Sequence, residues 1–235
     1  MVIAELGLRC FLSHKCNDEA HDLAVPLETA LRPHGVALLR DPFETGHVIV
    51  TRIRSLTFHS FVFLHCPDSW ASPMCQEELE TARDRGVPIL TVRLASTVPS
   101  ELKDRVYADL GRPDVDRPAA LQALAMVISS RSRLHHTITM LDPCHDPEET
   151  RKTAQRLVSE FDATLIAEYV TRIASYYRPE TDVAARFWLA IAVGKAGTPE
   201  AKKTLDSFSW EDHPYPREGI KEAHAMLDHG IKRTR

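Results

Sequence analysis

Short apolar runs alternate with amphipathic stretches through the first half of the chain. "LRCFLS" (8–13), "VALL" (36–39), "FVFLH" (61–65) and "PILTV" (88–92) are brief and nearly continuously apolar, as strands covered on both faces tend to be. "RVYADL" (105–110) supplies a fifth, weaker run. Leu23, Leu27 and Leu31 recur every four residues, the spacing of one helix face, and Pro26 either kinks that helix or marks its start. Residues 47–58 and 73–85 carry two more helical patterns, and "RPAALQALAMVISS" (117–130) another. This alternation predicts an α/β fold, a parallel sheet with helices on both faces.

The pattern changes after residue 130. "RSRLHHTITMLDPCHDPEE" (131–149) has weak periodicity and two prolines, which reads as a linker. The boundaries that follow are an α/β domain over 1–132, a linker over 133–147 and an all-α domain over 148–235. In that last part "EETRKTAQRLVSEF", "ATLIAEYVTRIASYY", "DVAARFWLAIAVGKAG", "TPEAKKTLDSF" and "PREGIKEAHAMLDHG" are all helical in pattern. Phe187, Trp188, Ile191, Leu205 and Met226 lie on its apolar stripes, so the segment must pack. Residues 183–228, with a Gly-Thr-Pro turn at Gly197, resemble a HEAT-type helical repeat; a plain helical bundle fits the pattern equally well.

Composition narrows the picture. Of 235 residues 43% are apolar, enough for a sizeable core, and a net charge of -4 with no long basic run excludes nucleic acid as the main partner. "MVIAELGLRC" lacks a basic start and a long apolar stretch, so no signal peptide is expected. No apolar run approaches the roughly 20 residues that span a bilayer. The cysteines, Cys10, Cys16, Cys66, Cys75 and Cys144, lack CxxC spacing. Reduced thiols in a cytoplasmic protein are the expectation, with neither a disulfide framework nor structural zinc. His135, His136, Cys144 and His145 cluster without metal-ligand spacing, so no metal site is expected.

The densest chemistry lies in "SPMCQEELETA" (72–82). Ser72 suits a helix cap and Pro73 the first helical position. Cys75, Glu78 and Leu79 fall on one helix face at i, i+3 and i+4. With Cys75 and Leu79 turned to the sheet, Glu78 lies at the edge of that face, whereas Glu77 and Glu80 point elsewhere. Cys75 reads as a buried structural thiol rather than a nucleophile. On their own, the three carboxylates need no role beyond favourable interaction with a helix N-terminus.

Four pieces, in order, resemble a TIR domain over roughly residues 6–132. They are "CFLSHKCND", "GVALLRDPFETG", "SFVFLHCPDSWASPMCQEEL" and "VPILTV". The third is similar to the family's Ser-x-Trp-Cys-x-x-Glu-Leu. It departs at Met74, where the family often has Trp, although Trp70 stands four residues earlier. The loop after the second strand also looks short. The resemblance implies a flavodoxin-like, five-stranded parallel sheet of order 2-1-3-4-5. Ligands then sit beyond the carboxyl ends of the strands, here followed by Ser13–Asn17, Asp41–Gly46 and Cys66–Ser72.

What the resemblance implies about function divides in two. Bacterial TIR domains of the catalytic kind cleave the nicotinamide–ribose bond of NAD+, by hydrolysis or cyclisation, and act in antiviral defence or signalling. The family's catalytic glutamate then corresponds to Glu78. Ser13, His14, Lys15, Asp41, Phe43, Trp70 and Ser72 are the candidate substrate-binding residues, and NAD+ is a substrate with no separate cofactor. Other TIR domains are non-enzymatic adaptors that bind further TIR domains, and a different N-glycosidic-bond enzyme is a third possibility. In either main case the expected partners are copies of the same chain, through the TIR and helical domains, together with a protein or small-ligand trigger.

Overall fold

The computed structural model describes residues 7–15, 18–39, 56–94, 106–142, 146–208 and 210–233, which divide into two compact units, 1–135 and 136–235. In the first unit, strands β1 (Leu8–Ser13), β2 (Val36–Leu39), β3 (Ser60–His65), β4 (Ile89–Arg93) and β5 (Val106–Asp109) form one sheet in the order β2-β1-β3-β4-β5. Every pairing is parallel, with Ser13 beside Phe63, Phe63 beside Thr91, His65 beside Arg93 and Arg93 beside Asp109. All five apolar runs of the sequence are therefore strands.

The two faces of the sheet follow from the period of two along each strand. Cys10, Leu12, Val62, Leu64, Leu90 and Val92 face one way. They pack with Leu23, Leu27 and Leu31 of α1 (Asp18–Leu31) and with Leu121, Leu124 and Ile128 of α4 (Arg117–Thr139). Phe11, Phe61, Phe63 and Ile89 face the other way, against Cys75, Leu79 and Ala82 of α3 (Pro73–Asp84). The short helix α2 (Pro67–Ala71) joins β3 to α3. Helix α1 runs through Pro26 rather than starting there, and its end turns at Gly35 with φ 70°, a left-handed conformation that glycine adopts without strain.

Two expectations need correction in this unit. Leu56, Thr57 and Phe58 are not helical, whereas the pattern had placed a helix over 47–58; residues 47–55 lie outside the described residues. Phe58 is instead buried, with its ring 5.7 Å from Phe11 and 6.3 Å from Phe61. Helix α4 continues past Ser130 to Thr139, into the stretch read as a linker. The continuation is held by buried Ser132 and His135, and the Ser132 hydroxyl donates to Ser60 Oγ at 2.7 Å.

The second unit is all-α: α5 (Pro147–Glu160), α6 (Ala163–Ala167), α7 (Val170–Ala174), α8 (Val183–Lys195), α9 (Pro199–Asp206) and α10 (Pro214–Arg233). Helix α8 touches each of the other five, and nine of its thirteen residues are buried, so it forms the axis of the unit. Asp146, Asp162, Asp182 and Thr198 cap α5, α6, α8 and α9 through their side-chain oxygens. The segment "ATLIAEYVTRIASYY" is two short helices rather than one continuous helix, broken at Glu168–Tyr169. The break turns Leu165, Ile166, Val170 and Ile173 all inward. Among the described residues no helix is long and apolar enough to cross a membrane.

Candidate functional site

The site is assembled by a strand end and a helix start. Strand β3 finishes at His65, and Cys66 then caps α2 in a reciprocal pair with Ser69: the Ser69 backbone N–H donates to Cys66 Sγ, and the Cys66 backbone N–H donates to Ser69 Oγ at 2.9 Å. Ser72 closes α2 and caps α3, its hydroxyl oxygen accepting from the Cys75 backbone N–H at 3.5 Å. Two consecutive caps thus fix where α3 begins. The helical period then turns Cys75, Glu78, Leu79 and Ala82 inward.

Glu78 is 5% exposed although it is ionisable. Ser13, the last residue of β1 and 1% exposed, donates its hydroxyl to Glu78 Oε2 at 2.6 Å. Short O–H···O⁻ contacts of this kind are charge-assisted and among the stronger hydrogen bonds. Of the neighbouring carboxylates, Glu77 is half-buried and Glu80 exposed, as the helical face predicts. Burial raises the pKa of Cys75; hydrogen bonds to Ser72 and Ser13 oppose this, and the charge of Glu78 adds to it. The thiol is therefore protonated and inert, which fits a structural role.

The position matters as much as the pair. In a sheet of order 2-1-3-4-5 the connections reverse direction between β1 and β3, and the crevice beyond those strand ends is where such sheets bind ligands. Ser13 and His65 end these two strands, and Glu78 reaches the first of them.

The other sequence candidates are distributed around this pair. Trp70 is half-buried, edge-on to Phe63 at 6.4 Å and 6.1 Å from the His65 ring, and its carbonyl accepts from Gln76 Nε2 at 2.8 Å. The Ser72 hydroxyl is engaged as the α3 cap. His14 is half-buried with Nδ1 3.2 Å from the Lys15 carbonyl oxygen, and Lys15 is exposed. Asp41, Phe43 and Gly46 lie outside the described residues.

The sequence reading missed His65. It is 3% exposed, burial holds its pKa below the ordinary imidazole value, and Nδ1 has no hydrogen-bond partner among the described residues. Thr91 Oγ1, Arg93 Nε and Asp109 Oδ1, on the same sheet face and toward the same end, share that condition. The signal was present: a polar residue closing an otherwise apolar strand at its carboxyl end. Arg93 and Asp109 pair with each other through the guanidinium and carboxylate. Among the described residues no group of three or more His, Cys, Asp or Glu side chains could hold a metal ion.

Sheet order and site together define a flavodoxin-like α/β unit with a buried carboxylate at its topological switch point. Residues 10–125, from β1 into α4, match the family model described as TIR domain. No curated protein matches the chain.

Proposed function

We propose that the chain cleaves the nicotinamide–ribose bond of NAD+, with Glu78 as the catalytic carboxylate. The observation that carries this reading is the placement of Glu78, buried at the switch point and hydrogen-bonded to Ser13 at 2.6 Å. The chemistry needs little more. Nicotinamide in NAD+ is cationic, so it departs as a neutral base when the bonding pair leaves with its nitrogen, and no general acid is required. Positive charge gathers on the ribose in an oxocarbenium-like transition state. A preorganised carboxylate stabilises that charge and accepts hydrogen bonds from ribose hydroxyls. Water or a second nucleophile within the substrate then completes hydrolysis or cyclisation. Trp70, His14 and Lys15 surround the strand ends and form the substrate-binding set in this proposal, with NAD+ as substrate and no resident cofactor.

The test is nicotinamide release by the full chain. Wild type and Glu77→Gln are expected to release it, and Glu78→Gln to fall by at least roughly a hundredfold, the scale for losing one preorganised electrostatic group. Equal turnover in wild type and Glu78→Gln, at matched melting temperatures, overturns the assignment. No release by wild type leaves a non-enzymatic interaction module as the better reading. The proposal also assigns the helical unit, with α8 and α9 joined across Gly197 in a HEAT-like pair, to assembly of copies of the chain. Light scattering that finds only monomers at every concentration removes that part.

A further inference from the structure

We propose that Ser13 is a positioning residue for Glu78 rather than a substrate contact; this rests on the reading of Glu78 above. A serine hydroxyl carries one proton. Here it is donated to Glu78 Oε2 at 2.6 Å from a residue that is 1% exposed. The donor is therefore committed inside the protein and is not available to a ligand.

What that commitment does follows from the freedom of a glutamate. Its side chain has three torsions, and the last, between the chain and the carboxylate, is broad. Leu79 and Cys75, both buried against the sheet, fix the helix, and the bond to Oε2 from the end of β1 bears on the plane of the carboxylate itself. With Oε2 held, the direction of Oε1 is set as well, so the negative charge meets the ribose in one orientation. The same bond favours the ionised form, because a hydroxyl donates more strongly to a carboxylate than to a neutral carboxyl. Ser13 sits on β1 in register with Phe63, and Phe63 belongs to the apolar cluster that seats α3. Strand, helix and carboxylate thus form one unit.

Around the carboxylate, Cys75 is the coupled titratable group on its own helix, and Cys66, which caps α2, is coupled in turn to Cys75. The Cys75 thiol is pushed upward by burial and stays protonated through the acid range.

The experiment uses full-length Ser13→Ala and the near-isosteric Ser13→Cys, a weak donor, alongside wild type and Glu78→Gln. The first readout is steady-state nicotinamide release. A positioning role predicts that kcat falls by roughly ten- to a hundredfold, the worth of a hydrogen bond to a charged group, with KM within about twofold because the substrate never met the hydroxyl. The second readout is independent of activity: carboxyl ¹³C chemical shifts of Glu78 against pH, assigned by their loss in Glu78→Gln. They are expected to titrate at higher pH in both Ser13 variants than in wild type. An unmoved titration overturns the proposal, as does a rise in KM with kcat unchanged, which is the mark of a lost substrate contact. A shifted titration in a protein that releases no nicotinamide retains the Ser13–Glu78 bond and rejects the enzymatic reading.

Discussion

Among the described residues each unit of the protein buries one glutamate, and the two are held in different ways. In the helical unit Glu211 is 4% exposed and accepts from Arg186 Nη1 at 2.5 Å, from Tyr177 Oη at 3.0 Å and from the His213 backbone N–H at 3.0 Å. Arg186 also lies 5.9 Å from the centre of the Trp210 ring, and burial followed by the charge of Glu211 pushes the Tyr177 phenol upward. There a guanidinium inside the fold neutralises the carboxylate. In the α/β unit Glu78, 5% exposed, meets a neutral serine hydroxyl at the end of a strand. A matched charge is already complete and serves structure. On the proposed reading, a carboxylate that takes a serine hydroxyl at a strand end can still answer a developing cation, and place, more than burial, separates the two.

The comparison is broken most strongly by Glu211→Ala, which leaves Arg186 buried without its counter-charge. Removing one partner of a buried pair costs about 3–5 kcal/mol. Denaturant unfolding followed by circular dichroism is expected to show a loss of that size, with most of it recovered in the double variant Arg186→Met/Glu211→Leu. The same measurement on Glu78→Gln is expected to move stability by less than about 1 kcal/mol, since Ser13 can still donate to the amide oxygen. If the two single variants lose equal stability, the contrast drawn between the glutamates is wrong.

Glycines sharpen the same contrast at smaller scale. A methyl added at Gly194 on α8 would lie 2.6 Å from Ala223 Cα on α10, so that contact is set by space. Gly194→Ala is expected to cost about 1–3 kcal/mol by overpacking. Gly35 in the α/β unit meets nothing within 4 Å but has φ +70°. Gly35→Ala should cost about 1–2 kcal/mol from conformation alone. Thermal melts of the two variants check the order.

The smallest effect concerns the Arg93–Asp109 pair at the β5 edge of the sheet. The Arg93 guanidinium beside Asp109 holds that carboxyl below the usual carboxylate range. A depressed folded value contributes stability above the unfolded pKa, and the contribution is lost as pH falls through the folded pKa. Asp109→Asn is therefore expected to lower stability slightly near neutrality and to flatten the acid limb of the stability–pH curve, the two proteins converging at low pH. Parallel acid limbs in the two proteins would remove the pair from the account.

Much of the α/β unit was legible because its strands are buried on both faces and read as unbroken apolar runs. The inward face of α3 was equally plain, since Cys75, Glu78 and Leu79 share a spacing that only a helix brings together. What hid α4 beyond Ser130 was polarity: Ser132, His135 and Thr137 are buried there beside Leu134 and Ile138, so polar residues dilute the apolar signal of the helical stripe. The break at Glu168–Tyr169 was hidden for the opposite reason, because the apolar residues on either side continue one helical pattern. At the site, the inward placement of Glu78 could be read from motif and period. The Ser13–Glu78 bond could not, because it joins residues 65 positions apart and depends on the register of β1 against β3. His65 escaped because a histidine at a strand end looks the same in sequence whether it faces solvent or is buried.

Helix α3 seats the sheet through Cys75, Leu79 and Ala82 and carries Glu78 on the same turns. Its amides can therefore exchange with solvent only when that part of the core opens. The α3 amides around Glu78 should be among the most slowly exchanging of the unit, with an opening free energy near that of global unfolding. The proposed nicotinamide release should then disappear in rising denaturant with the fold itself, in one transition and not before it.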